Sequence, residues 1–275
     1  MSSFTQRAIT AVGFLVVMIT GIYISPYSLF ALFGLISFLG VWEYQTLVAL
    51  YPFNQHTALL RDKWILSVMG LLVYALIGLV SMHLLPLWAL LFILPLVFLL
   101  FIKELFDAKS PNPFVRVSLN ITGLLYLVVP LALINTIANE NNTFEPNRIM
   151  GMLLLIWAND TGAYVLGSKI GKTPFFKRIS PKKTWEGTIS GMITTLILAA
   201  ILGFVFNELS VVQWYGVAVC VIIFSTLGDL VESMLKRNLG IKDSGTILPG
   251  HGGILDRFDA LLLVVPYIAL WILMT

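Results

Sequence analysis

Asp229, Glu232 and Lys236 stand at i, i+3 and i+7, a spacing that puts a carboxylate pair and an ammonium on one helix face, with Ser233 at its edge and Arg237 following. An ion-pair ladder at a helix end would explain Glu232 and Lys236; Asp229, a turn deeper, calls for more. Thirteen residues past Lys242-Asp243 come Asp256-Arg257 and then Asp259, again three apart and so on a shared face. Between them Gly245, Gly250, Gly252 and Gly253 allow positive φ and let N–H groups approach a ligand, and a helix start there favours an anion such as phosphate. His251 is the histidine placed among these groups, as a phosphate ligand, an acid or base, or a brace for the glycines. Asp160, beside Asn159, and the run Ser180-Pro-Lys-Lys-Thr-Trp-Glu-Gly187 complete the set. Carboxylates gathered beside lysines repel one another unless divalent cations sit between them, and an all-oxygen donor set suits Mg2+ rather than zinc. The chemistry indicated is metal-assisted phosphoryl or nucleotidyl transfer, with lysines holding anionic oxygens.

The elements that must position these groups are set by composition. Of 275 residues 58% are hydrophobic and 11% charged, against about a quarter charged in soluble domains. Runs of about 20 apolar residues fall near Ala8 to Ile24, Tyr27 to Val48, Trp64 to Met82, Pro86 to Ile102, Val117 to Ile137, Ile149 to Leu166, Thr188 to Phe206, Val211 to Leu230 and Phe258 to Met274. This predicts an all-α, polytopic membrane protein of about nine transmembrane helices. The alternation of loops agrees: of 17 Lys and Arg, all but Arg148 fall on one side, which is then cytoplasmic, with the N-terminus inside and the C-terminus outside. A soluble enzyme is excluded, and a net charge of +3 gives no ground for nucleic-acid binding. The single cysteine, Cys220, excludes an intrachain disulfide and a thiolate metal cluster.

Two regions are expected. Residues 1–147, about five helices, read as scaffold, their acids Glu43, Asp62, Glu104 and Asp107 lying near loops as solvated helix ends do. Residues 148–275, about four helices with two polar cytoplasmic loops, read as the catalytic region. Within it Asp160 lies eleven residues past Ile149, roughly 16 Å into the apolar slab, where an ionisable side chain is costly and marks function by default. Its structural rival is an aspartate bonded to a neighbouring helix; for Asp259 the rival is a helix cap.

The stretches Asp160-Thr-Gly-Ala-Tyr164, Ser180 to Gly187, Ser233-x-x-Lys236-Arg237, Lys242-Asp243-x-Gly245, Pro249-Gly-His-Gly-Gly253 and Asp256-Arg-Phe-Asp259 resemble the phosphatidate cytidylyltransferases, the CDP-diacylglycerol synthases, over about a hundred residues from Asn159 to Asp259. The resemblance implies the reaction of CTP with phosphatidate to CDP-diacylglycerol and pyrophosphate, dependent on Mg2+, in bacterial phospholipid synthesis. It also implies a homodimer in the inner (plasma) membrane, an active site on the cytoplasmic side, and a second cation such as K+. On this reading Asp229, Asp256, Asp259 and Asp160 are the expected metal ligands. Lys182, Lys183, Lys236 and Arg237 would hold phosphates with Ser233 nearby, and the Gly250, His251, Gly252 and Gly253 turn would cradle the triphosphate. Ser180, Thr184, Glu186, Lys242, Asp243 and Arg257 join the substrate-binding set. Rival readings are a CTP-dependent lipid kinase, a cytidylyltransferase acting on another lipid, and a cation transporter; the last would need neither the glycine-rich turn nor the lysine pairs.

Overall fold

The structure, a computed structural model, describes residues 3–51, 60–108, 110, 112–140, 143–245, 247 and 252–275. It is built from helices α1 (Ser3–Tyr23), α2 (Pro26–Val48), α3 (Leu60–Ser81), α4 (Ile93–Phe106), α5 (Pro113–Gly123), α6 (Val129–Ala138), α7 (Pro146–Ile170), α8 (Trp185–Val205), α9 (Val211–Asn238) and α10 (Leu255–Met274). Two small antiparallel hairpins complete it, β1 (Asn139–Glu140) with β2 (Thr143–Phe144), and β3 (Pro174–Phe176) with β4 (Ser180–Thr184). Among the described residues eight helical stretches are long and apolar enough to span a membrane, and the apolar part of α1, Ile9–Tyr23, is shorter. The protein is a polytopic all-α membrane protein.

Local sequence sets the ends of the long helices. α2 opens on a capping box in which Ser28 N–H donates to Ser25 Oγ (3.0 Å) and Ser25 N–H to Ser28 Oγ (2.9 Å), with Pro26 at the first helical position. α9 repeats the device with Ser210 and Gln213. The fifth span is one stretch, Pro113–Ala138, in which a π-helical turn, Leu124–Val128, joins α5 to α6. Pro130 lacks the N–H that an unbroken α-helix would need at that point, and the wider turn accommodates the loss. A 3-10 turn, Leu87–Phe92, begins the fourth span in the same way after Pro86.

Contacts divide the chain into two compact units. The first holds residues up to Phe144 together with Asp243–Arg257. In it Tyr74 Oη donates to the Phe30 carbonyl (2.8 Å) and accepts from Asn135 Nδ2 (3.0 Å), tying α2, α3 and α6. The acids read as solvated helix ends are here buried: Glu43 is 3%, Asp62 3% and Glu104 4% exposed. Arg116 bridges Asp62 (2.8 Å), Glu104 (3.0 Å) and Asp107 (3.2 Å), and Lys103 reaches Asp62 (3.2 Å) and Glu104 (2.8 Å). Lys103 and Glu104 are neighbours on α4, but Asp62 lies on α3 and Arg116 on α5, so no local pattern announces the network that joins them.

The second unit holds Glu145–Lys242 and Phe258–Thr275. α7 and α8 approach closely because glycines remove the side chains between them. A Cβ on Gly187 would lie 2.8 Å from the Ala163 carbonyl oxygen, and one on Gly191 2.7 Å from that of Asn159. Ser190 Oγ donates to the Gly162 carbonyl (2.8 Å) and Thr194 Oγ1 to that of Ala158 (3.1 Å). α10 runs along α9, with the Phe224 and Tyr267 rings stacked at 3.4 Å, Trp271 Nε1 donating to the Gln213 carbonyl (3.1 Å), and Gly228 set against Asp259 and Ala260 backbone.

Candidate functional site

Close packing of α7 on α8 brings the polar end of α7 to the start of α8, and the β3–β4 hairpin returns the chain between them. Thr184 caps α8 by accepting from Gly187 N–H (3.2 Å). Glu186 accepts from the N–H groups of Lys172 and Thr173 (each 3.2 Å) and from Thr173 Oγ1 (2.9 Å), which fastens the segment leaving α7 to the first turn of α8. Glu186 therefore holds the hairpin that presents Lys182 and Lys183. A T-shaped Phe175–Trp185 contact, centroids 4.7 Å apart, braces the same hairpin, and Ser180 is half-buried in β4.

These elements and α9 enclose a cavity of about 590 Å3 lined by Asn159, Asp160, Tyr164, Ser168, Lys182, Lys183, Thr184, Thr188, Thr226 and Asp229, among others. That volume is in the range of small-molecule sites. Asp160 faces it with an exposed carboxylate; Ser225 Oγ donates to Asp160 Oδ1 (3.4 Å) and accepts from Asn159 Nδ2 (3.5 Å). Lys183 Nζ is ion-paired with Asp229 Oδ2, and Ser233 Oγ donates to Asp229 Oδ1 (3.3 Å).

Asp229, Glu232 and Asp259 each offer an oxygen within 4.8 Å of the other two. Glu232 is buried and pairs with Lys236 Nζ at 2.5 Å. Asp259 lies in the second turn of α10, its Oδ1 accepting from Ala260 N–H (2.8 Å), so it does not cap that helix. With Asp160, four carboxylates stand against the ammonium groups of Lys183 and Lys236. In an octahedral Mg2+ site with bonds of about 2.1 Å, oxygens lie about 3 to 4.2 Å apart. Oxygens held within 4.8 Å therefore need only a small closure, and the all-oxygen donor set fits such a cation. Sequence spacing allows a ladder of Glu232 with Lys236, and the pair is present; the helix face that Glu232 shares with Asp229 is the signal for its place beside the other acids.

The other expected residues are placed as follows. Arg237 is exposed and donates to the Ile241 carbonyl (3.3 Å) beyond the end of α9; Lys242, Asp243 and Arg257 are exposed. Asp256 belongs to the first unit, where its carboxylate accepts from Ser244 N–H (3.0 Å) and Gly253 N–H (2.8 Å). Gly252 has φ of +88°, which a side chain would rarely adopt, and the Asp256 carboxylate lies against it. Gly250 and His251 lie outside the described residues.

Comparison with known proteins gives a consistent set. Residues 5–275 match the family model described as "Cytidylyltransferase family". Proteins named phosphatidate cytidylyltransferase are similar: one from Staphylococcus aureus is 50% identical over 119 residues, 43% of this chain and 46% of the relative. One from Staphylococcus saprophyticus is 46% identical over 120 residues, with the same shares. One from Haemophilus influenzae is 38% identical over 167 residues, 58% of this chain and 57% of the relative. The chain thus spans about half the length of the curated relatives it matches.

Proposed function

Because the chain belongs to the cytidylyltransferase family, we propose that it transfers the cytidylyl group of CTP to phosphatidate, giving CDP-diacylglycerol and pyrophosphate. The observation that carries this reading is the meeting of Asp160 on α7, Lys183 on the β3–β4 hairpin and Asp229 on α9 around one cavity, with Glu232 and Asp259 beside Asp229. The names of the relatives support the choice of substrates.

In the reaction a phosphate oxygen of phosphatidate attacks the α-phosphorus of CTP, the bond to the β-phosphate oxygen breaks, and pyrophosphate leaves with the electron pair. The lipid phosphate is already an anion at neutral pH, so no side chain is needed as nucleophile. Lys183 and Lys182 hold phosphate oxygens as point charges, and the hydroxyls of Ser168 and Thr184 offer further donors along the same wall. Asp229, Glu232 and Asp259 would hold Mg2+, which when bound offsets the charge of the triphosphate and of the transition state. Asp160, kept in place by Ser225, adds a negative charge that favours a cation near the cavity. Ser233 orients Asp229, and Lys236 limits the repulsion within the carboxylate group.

The reading puts the reaction at the cytoplasmic face of a bacterial inner membrane, where CTP arrives from water while the acyl chains stay in lipid, and it includes a homodimer and a second cation such as K+. The test is to incubate purified protein with CTP, phosphatidate and Mg2+: pyrophosphate and CDP-diacylglycerol should be released in equal amounts. Release of CDP with a phosphorylated lipid would replace the reading with a kinase, and cation flux in liposomes without nucleotide consumption would replace it with a transporter.

A further inference from the structure

Glu43 lies on α2 and is 3% exposed, yet its carboxylate is the meeting point of a segment some two hundred residues away. Oε1 accepts from Ser244 Oγ and from Leu255 N–H (3.1 Å), and Oε2 accepts from Ile254 N–H (2.8 Å). Leu255 is the first residue of α10, so Glu43 places a negative charge against the unsatisfied amides of a helix start. A buried carboxylate is tolerated when several donors satisfy it, and here three do.

The glycines of the segment fit the same group. A Cβ on Gly245 would lie 2.8 Å from Glu43 Oε2 and 2.9 Å from Cδ, and one on Gly253 would overlap Glu43 Oε1 and Ser244 Oγ. Asp256 closes the loop from the other end through Ser244 and Gly253 N–H. Two carboxylates, one from α2 and one from α10, thus hold Ser244, Gly253, Ile254 and Leu255. Gly252, Gly253, Asp256 and Arg257 belong to the motifs that resemble the phosphatidate cytidylyltransferases, and Asp259 of the carboxylate group follows Leu255 by one turn on α10.

We propose that Glu43 is a positioning residue for cytidylyl transfer, holding Ser244, Ile254 and Leu255 at the start of α10, the helix that carries Asp259 one turn further on. This rests on the reading of the chain as a cytidylyltransferase. Glutamine at 43 would turn an NH2 donor toward donors and keep one acceptor, whereas aspartate would withdraw both oxygens by a methylene. Substitution of a group that orients the ligands of a metal typically costs about 10–100-fold in metal affinity or activity, and Glu43 holds the start of the helix that bears Asp259.

The test compares wild type with Glu43→Gln and Glu43→Ala, in detergent with Mg2+, by steady-state kinetics and by amide hydrogen exchange. The expected result for Glu43→Gln is a loss of about 10–100-fold in kcat/KM for CTP. KM for phosphatidate should stay within threefold, and faster exchange should be confined to the peptide holding Ile254 and Leu255. A general structural role would instead loosen α2, α3 and α6 together, and that result overturns the proposal. So does wild-type kcat/KM, or unchanged exchange at 254 and 255. Where Glu43→Ala does not fold, Glu43→Gln decides. If wild type itself releases no pyrophosphate, the functional reading falls, and the exchange arm alone upholds or overturns the anchor.

Discussion

Lys183→Ala separates a catalytic lysine from a structural one. Lys183 and its partner Asp229 are 27% and 38% exposed at the side chain, so water screens the pair. Such a pair contributes on the order of 0.2–1 kcal/mol to stability, and its loss should move the thermal midpoint by a few degrees at most. Held against a phosphate oxygen in the transition state, the same ammonium is worth far more: removing one preorganised donor from developing charge typically costs about 2.7–4 kcal/mol, or 10²–10³ in kcat. Lys183→Ala should therefore lower kcat at least about a hundred-fold while the protein unfolds nearly as wild type does. Lys183→Arg keeps the charge but replaces a compact ammonium with a planar fork, and should recover part of the loss. The assay is pyrophosphate release at saturating CTP and phosphatidate, paired with a thermal melt of the same sample. Turnover within threefold of wild type for Lys183→Ala, or a loss that merely tracks the folded fraction, would refute the reasoning.

Asp160→Asn preserves shape and the Ser225 hydrogen bond while removing the charge, and turnover should fall by about two orders of magnitude with little change in melting. Gly162→Ala drives a methyl group into Thr194, whose Cγ2 lies 3.0 Å from the added atom, and should destabilise by about 1–3 kcal/mol; adding Thr194→Ala should return much of this in a thermal melt. Arg116→Met leaves Asp62, Glu104 and Asp107 short of their shared cation and should cost about 3–5 kcal/mol, measured by denaturation in detergent.

How much of this could be read from the sequence depended on whether the signal was local. The membrane spans were legible because twenty apolar residues leave few alternatives, and the run Thr188 to Phe206 corresponds closely to α8, Trp185–Val205. The ninth helix was harder: apolarity stops at Leu230, while α9 continues to Asn238, carrying Glu232, Ser233 and Lys236 on a polar extension. Helical spacing gave the shared face of Asp229 and Glu232 but not the approach of Asp259, which depends on α10 packing along α9. Burial of Glu43 and Asp62 was illegible, because their partners are Ser244, Ile254 and Leu255 in one case and Arg116 in the other. Near a loop, an acid that accepts from distant backbone looks the same in sequence as one that accepts from water. The glycines show the converse: their freedom was legible, while the Glu43 carboxylate that crowds Gly245 and Gly253 was not.

Direct cation binding probes the centre without reference to turnover. Mn2+, which like Mg2+ prefers oxygen ligands, can be titrated into the purified protein in lipid nanodiscs without nucleotide and followed by electron paramagnetic resonance. Wild type should take up Mn2+ saturably and release it to excess Mg2+, whereas the Asp229→Asn, Asp259→Asn double variant, shown to be folded, should lose that uptake. Equal uptake by the two proteins would mean that the acids of α9 and α10 do not form the cation site.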